Sequence, residues 1–229
     1  MIKVAVIGLG NMGKHHARNY FNILSVNLVA VCDLNTKLST DTAAKFSCNS
    51  YSDYKEMIAF EDINAVSIVV PTSFHKEVAL YCMENNIDVL IEKPISSNIE
   101  DAQEIIAKSK EKNVLLQVGH IERFNPAVQR LKQIIQENKL GDISSIIARR
   151  VGAVPAQIRD TNVVVDLAVH DIDIMNYLYE DLPNEVYSNL GTAMIEERED
   201  YAEIFLKYGK KSGFIQVNWI TPVKIRNLI

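Results

Sequence analysis

Residues 1–13 read MIKVAVIGLGNMG, an apolar run from Ile2 to Ile7 that passes directly into Gly8-x-Gly10-x-x-Gly13. A short, nearly continuous run of this kind predicts a strand buried on both faces. The three glycines predict the turn that leads it into a helix. The first permits a tight turn, the second lets backbone N–H groups approach a pyrophosphate, and the third allows close helix packing, while the helix N-terminus favours negative charge. Asn11 and Met12 lie within this turn. Asp33 stands 20 residues after Gly13, at the end of the next apolar run, Leu28 to Cys32. A carboxylate there can accept hydrogen bonds from ribose hydroxyls. Taken singly, the glycines also suit a structural turn, and Asp33 also suits a helix cap, a role Asn35 could equally supply. Together, in this order and spacing, they predict a bound dinucleotide.

The charge at Asp33 bears on which dinucleotide. A carboxylate repels a ribose 2′-phosphate, and Leu34-Asn35-Thr36 offers no arginine, although Lys37 could reach part way. NAD is expected in preference to NADP.

Further apolar runs at Ala65 to Val70, Ile87 to Ile91 and Val114 to Val118 read as buried strands. Amphipathic stretches lie between them: Asn11 to Asn22, Thr36 to Phe46, His75 to Asn85 and Asn98 to Lys112. This alternation predicts a parallel, doubly wound α/β sheet, the Rossmann plan. After Gly119 the pattern changes. A helix is expected from about Asn125 to Asn138, closed by Leu140-Gly141-Asp142. Tyr201 to Tyr208 alternates in polarity and leads through Gly-Lys-Lys-Ser-Gly into Phe214 to Ile220, which predicts an antiparallel hairpin. The expected organisation is a dinucleotide-binding domain over residues 1–120 and a smaller α+β domain over 121–229, with an open, mainly antiparallel sheet and strands not separated by helices of crossover length.

The composition sets outer limits. Among 229 residues, 48% are hydrophobic and 23% charged, with net charge -5, an ordinary globular balance that disfavours a nucleic-acid or anionic-membrane binder. Cys32, Cys48 and Cys82 show neither zinc-site spacing nor a pairing pattern and read as reduced thiols. No apolar run approaches the ~18 residues of a bilayer span, and the N-terminus enters a strand rather than a leader sequence. A cytoplasmic location is expected.

Glu92-Lys93-Pro94 follows the run Ile87 to Ile91. With GLGNMG, VVPTSFH ending at His75, GHIERFNPAV from Gly119 and DLAVHDID from Asp166, it gives an ordered set that resembles the glucose–fructose oxidoreductase / inositol dehydrogenase / MocA family. The resemblance implies NAD(P)-dependent oxidation or reduction of a sugar or cyclitol hydroxyl. It places Lys93 beside the nicotinamide, Asp166 and His170 at the substrate, and Pro71, Thr72, His75 and Glu92 near the cofactor. Members are usually longer, so the second domain is expected to be incomplete.

The chemistry agrees. When hydride leaves a secondary alcohol, the hydroxyl proton needs a base, and a histidine titrates near neutrality. His170 is the expected base and Lys93 the orienting group, with the two roles exchangeable. If Val165 to Tyr179 is one helix, Asp166, His170, Asp173 and Tyr177 share a face, and Asp166 can orient His170. The same spacing also allows a satisfied core histidine, or metal ligation by Asp166, His170 and Asp173; no metal is expected. Asp171 projects among apolar positions and needs a buried hydrogen-bond partner.

The stretch GHIERFNPAV and the arginines near VGAVPAQIRD look most like the branch acting on nucleotide sugars such as UDP-N-acetylglucosamine. Guanidinium forks suit a diphosphate or a uronate carboxylate. Arg123 and Arg159 are the candidate substrate contacts, followed by His120 and Asn125, although an ordinary salt bridge is an equal reading for either arginine. A free sugar or inositol is the alternative substrate. A non-catalytic NAD-binding regulator is the alternative class, and association through the second domain's sheet is expected.

Overall fold

The computed structural model describes residues 1–153 and 161–229. They form two compact units, Met1–Gly119 and His120–Ile229. The first alternates β1 (Ile2–Ile7), α1 (Asn11–Asn22), β2 (Val26–Cys32), α2 (Thr36–Phe46), β3 (Asn49–Tyr51), α3 (Tyr54–Phe60), β4 (Ala65–Ile68), α4 (His75–Glu84), β5 (Asp88–Ile91), α5 (Ile99–Lys112) and β6 (Leu116–Val118). The strands lie in the order β3-β2-β1-β4-β5-β6, all parallel. The order reverses between β1 and β4, and in open sheets of this kind ligands bind outside the carboxyl ends of the strands at such a point.

β1 shows why the apolar run is continuous. Val4 and Val6 pack into one helical layer with Ala17, Ala43 and Phe46 of α1 and α2. Ala5 and Ile7 face the other, with Met57, Ala79 and Ile105 of α3, α4 and α5. Both faces are therefore covered, which a half-exposed alternating strand could not satisfy.

The expected elements of this unit are present, and β3 with α3 is added to them. β3 is a three-residue edge strand of Asn49, Ser50 and Tyr51, formed by pairing with Ala30, Val31 and Cys32. α3 begins at Asp53, whose side chain accepts from Lys55 N–H at 2.8 Å, and it buries Met57. Cys32 and Cys82 are buried and Cys48 is half-buried, none in a disulfide. Burial pushes the Cys32 thiol up to about 12, helped by Asp53 and Asp33. It pushes Cys82 up to about 12 and Cys48 up to about 11.

The second unit comprises α6 (Pro126–Gln136), β7 (Ser145–Ala153), α7 (Val169–Tyr179), β8 (Glu185–Gly191), β9 (Tyr201–Tyr208), β10 (Lys211–Asn218) and β11 (Ile220–Leu228). A π-helical turn, Val164–Ala168, runs directly into α7. The sheet order is β11-β7-β10-β9-β8. The β9–β10 hairpin is antiparallel as expected, and so are β8–β9 and β11–β7. The pair β7–β10 is parallel, because α7 lies between these strands in the chain as a helix of crossover length. The expectation of strands without such a helix is corrected here, and the sheet is mixed. α6 also ends earlier than expected. Asn138 takes the left-handed conformation at φ 53, and Lys139 N–H reaches Ile134 O at 3.1 Å. Gly141, at φ 65, shapes the following turn instead.

Candidate active site

The first site lies at the carboxyl end of β1. Gly8 sits at φ +90, and a Cβ there would stand 2.5 Å from the Val69 carbonyl oxygen. A Cβ on Gly13 would stand 1.9 Å from Gly8 O. The chain itself demands these two glycines. At Gly10 a Cβ would meet nothing within 4 Å, so its missing side chain leaves room for something the chain does not supply. Gly10 is also the N-cap of α1 and offers no side-chain cap, and the first turn, which includes Asn11 and Met12, carries no acidic residue. The positive end of the helix therefore faces an open cradle.

Asp33 closes one side of that cradle. One carboxylate oxygen accepts from Leu9 N–H at 2.7 Å and the other from Asn35 N–H at 2.8 Å. Each oxygen retains a lone pair for a further donor. Asn35 caps α2 by accepting from Leu38 N–H at 3.1 Å, so Asp33 is not needed as the cap. Lys37 pairs with Asp41 at 2.7 Å. Open glycine, free-ended helix and strand-end carboxylate together fit the pyrophosphate and ribose of an NAD molecule.

Across the reversal point, Pro71 precedes a 3-10 turn, Thr72–Phe74, at the end of β4. His75 follows. It is 1% exposed, with Nδ1 2.9 Å from Pro94 O and Nε2 3.0 Å from Val70 O. Burial lowers its pKa despite these carbonyls. His75, expected near the cofactor, braces the turn after β4 against the Lys93–Pro94 turn through these two carbonyls. Glu92 and Lys93 follow β5, and the Lys93–Pro94 peptide is cis. Glu92 is held by His16 of α1 at 2.9 Å and by Lys93 N–H at 3.2 Å. Burial opposes its charge, yet these donors keep its carboxyl below the usual range.

The second unit holds a compact ionic cluster. Arg150 of β7, 6% exposed, donates to both Asp171 oxygens at 2.9 Å and to Glu122 at 3.0 Å. This is the buried partner that Asp171 requires. Burial pushes the Asp171 carboxyl up against the pull of Arg150. Asn125 donates to Glu122 at 3.1 Å while its Oδ1 accepts from Ala127 N–H at 3.0 Å and caps α6, so it is a local brace as well as a candidate substrate contact. Arg123 grips Asp173 through two hydrogen bonds of 2.7 and 2.5 Å and lies over the Tyr177 ring. His120 Nδ1 is 3.6 Å from the same carboxylate. Asp173 thus serves Arg123. Asp166 sits in the π-helical turn and His170 in the first turn of α7, both half-buried. Burial opposes the charge of Glu122, yet Asn125, Arg150 and the nearby His170 keep its carboxyl below the usual range. Arg159 lies outside the described residues.

His16, Ser67 and Tyr20 were not indicated by motif reasoning. A signal existed: His16 and Tyr20 continue the stripe of buried Gly13 and Ala17 along α1, so an imidazole there needs polar partners inside the fold.

The first unit is thus a dinucleotide-binding Rossmann domain, followed by an α+β domain with a mixed sheet. Comparison with known proteins agrees. The family model described as "Oxidoreductase family, NAD-binding Rossmann fold" matches residues 2–120, and the GFO/IDH/MocA C-terminal domain matches residues 128–228. The chain belongs to the Gfo/Idh/MocA oxidoreductase family. It is 32% identical over 205 residues to UDP-N-acetylglucosamine 3-dehydrogenase of Acidithiobacillus ferrooxidans, covering 90% of this chain and 63% of that one. It is 32% identical over 183 residues to scyllo-inositol 2-dehydrogenase (NAD(+)) of Bacillus subtilis, covering 77% and 54%. A solved structure of the Acidithiobacillus ferrooxidans enzyme superposes with TM-score 0.89 at 28% identity, over 99% of this chain and 73% of that one. The chain spans between about half and two thirds of the length of the curated relatives it matches.

Proposed function

We propose that this protein oxidises a ring secondary hydroxyl with NAD as hydride acceptor, and that its substrate is a nucleotide sugar such as UDP-N-acetylglucosamine, at the 3-hydroxyl. The observation that carries the reading is the position of Lys93. A dinucleotide lying across the β1/β4 reversal has its adenosine at the Asp33 side, which directs its other half toward the ends of β4 and β5. Bound there, the nicotinamide supplies the hydride acceptor. Lys93 then orients the hydroxyl, and His170 takes its proton, with Asp166 as the orienting carboxylate. The substrate reading draws on arginines: a cavity of about 200 Å³ in the second unit is bordered by the Arg150–Asp171–Glu122 cluster and, outside that cluster, by Arg149 and Arg226, which suit an anionic group. The Bacillus subtilis scyllo-inositol 2-dehydrogenase is equally identical over a shorter stretch, so inositols are the second substrate class.

Three cysteines outside disulfides support the cytoplasm as the compartment. A homo-oligomer formed through the second unit's sheet is part of the same proposal. Ile147, Phe214, Phe205 and Tyr187 are in cross-strand register on the face opposite the helices, each between 37% and 63% exposed.

The test is NAD reduction with UDP-N-acetylglucosamine, followed by absorbance of the reduced nicotinamide. His170→Ala is expected to lower turnover at least 100-fold while leaving NAD affinity within a factor of about two. An unchanged rate removes His170 as base. Reduction by inositols alone replaces the substrate, and NAD binding without reduction by any sugar or inositol defeats the catalytic reading.

A further inference from the structure

A chain of side chains inside the first unit joins the helix that opens at the glycine turn to the turn that carries Lys93. Tyr20 and Ser67 Oγ are 2.8 Å apart, Ser67 Oγ and His16 Nδ1 3.0 Å, and His16 Nε2 and Glu92 Oε1 2.9 Å. The other Glu92 oxygen accepts from Lys93 N–H at 3.2 Å. Ser67 is completely buried on β4, and the His16 and Glu92 side chains are 15% and 14% exposed. Gly119 presses on the carboxylate from its remaining side, since a Cβ there would stand 3.2 Å from both oxygens.

The following assignment of protons satisfies every link. Tyr20 O–H donates to Ser67, Ser67 O–H donates to His16 Nδ1, and His16 Nε2–H donates to the ionised Glu92. A buried chain satisfied in this way is rigid, because the rotation of any member leaves a polar group unpaired. Its two ends matter. His16 lies on α1, whose N-terminus forms the cradle at Gly10, whereas Glu92 sets the backbone from which Lys93 projects.

We propose that His16 is a positioning residue for the nicotinamide half of the site, holding Glu92 so that the Glu92-Lys93 turn stays in register with the cradle. The proposal rests on the placement of that half of the cofactor over β4 and β5. ADP-ribose carries the adenosine and pyrophosphate but no nicotinamide, so it isolates the effect.

The experiment measures dissociation constants for NAD+ and for ADP-ribose in the wild type, His16→Leu and His16→Gln, with thermal melts as a check on folding. His16→Leu is expected to weaken NAD+ about tenfold and to leave ADP-ribose within about twofold, because the loosened Glu92-Lys93 turn then has to be ordered when the nicotinamide half binds. His16→Gln, which keeps an N–H donor at this site, is expected to restore most of the NAD+ affinity. A parallel loss of both ligands, no loss of either, or no recovery in His16→Gln overturns the proposal. If the wild type itself binds ADP-ribose as tightly as NAD+, the nicotinamide half gains no net affinity from this turn, and the positioning role proposed for His16 falls; absence of NAD reduction by any sugar or inositol is the separate result that defeats the catalytic reading. Should His16→Leu fail to fold, His16→Ala takes its place, with the same expected loss specific to NAD+ and the same outcomes overturning the proposal.

Discussion

Three glycines in one turn have different reasons for being glycine. Gly13 is required by the backbone, because its Cβ would overlap Gly8 O, whereas Gly10 has empty space where its side chain would be. Gly10→Ala is therefore expected to melt within a degree or two of wild type and to bind NAD at least tenfold more weakly, since the added methyl enters the cradle. Gly13→Ala is expected to lose several kcal/mol of stability, about the cost of an unrelieved overlap between backbone atoms. Calorimetry with NAD titration of both variants separates the two cases; equal destabilisation would refute the distinction. The turn and Asp33 were readable because their chemistry is local: a fixed spacing along the chain dictates which N–H groups and which carboxylate meet. Asp171 was readable only as a demand. Its partner Arg150 is 21 residues away and comes into reach through the packing of β7 against α7. His16 and Glu92 are 76 residues apart, and nothing in either neighbourhood names the other.

At the scale of elements, burial patterns carried the long strands and helices, while the short edge pieces escaped. β3 has no apolar alternation to betray it and exists by courtesy of β2. α3 did carry a sign, Asp53-x-x-Glu56, which is the spacing of a capping box. The β7–α7 pairing has a measurable energetic consequence. Arg150→Met leaves Asp171, 3% exposed, without its fork, and is expected to destabilise the second unit by about 3–5 kcal/mol. Adding Asp171→Leu is expected to recover most of that loss, because the more deeply buried of the two carboxylates served by Arg150 is then gone and Glu122 keeps Asn125 as a donor. Urea unfolding of the single and double variants measures it, and a double variant no more stable than the single would show that the pair does more than neutralise itself. The π-helical turn that carries Asp166 departs from the single regular helix expected there, so the four-residue spacing to His170 spans two kinds of helix.

For the whole molecule, the mixed sheet leaves an apolar row facing away from its helices. Phe214 stands opposite both Ile147 and Phe205, and Phe205 opposite Tyr187, so a lysine at position 214 would sit in the middle of the row. Phe214→Lys is expected to shift sedimentation from an oligomer to a monomer with little change in NAD affinity. A wild-type monomer, or an oligomer indifferent to this charge, would remove the proposed assembly face.

The placement of the thiols has a practical use. All three cysteines belong to the first unit, Cys32 and Cys82 buried and Cys48 half-buried, and burial raises the pKa of each thiol. Alkylation of Cys32 and Cys82 by a maleimide or iodoacetamide therefore waits until this unit opens, and the second unit contributes no signal. The rate at which Cys32 and Cys82 become labelled is a clock for the opening of the cofactor domain alone, readable by mass spectrometry in the native chain without an added probe.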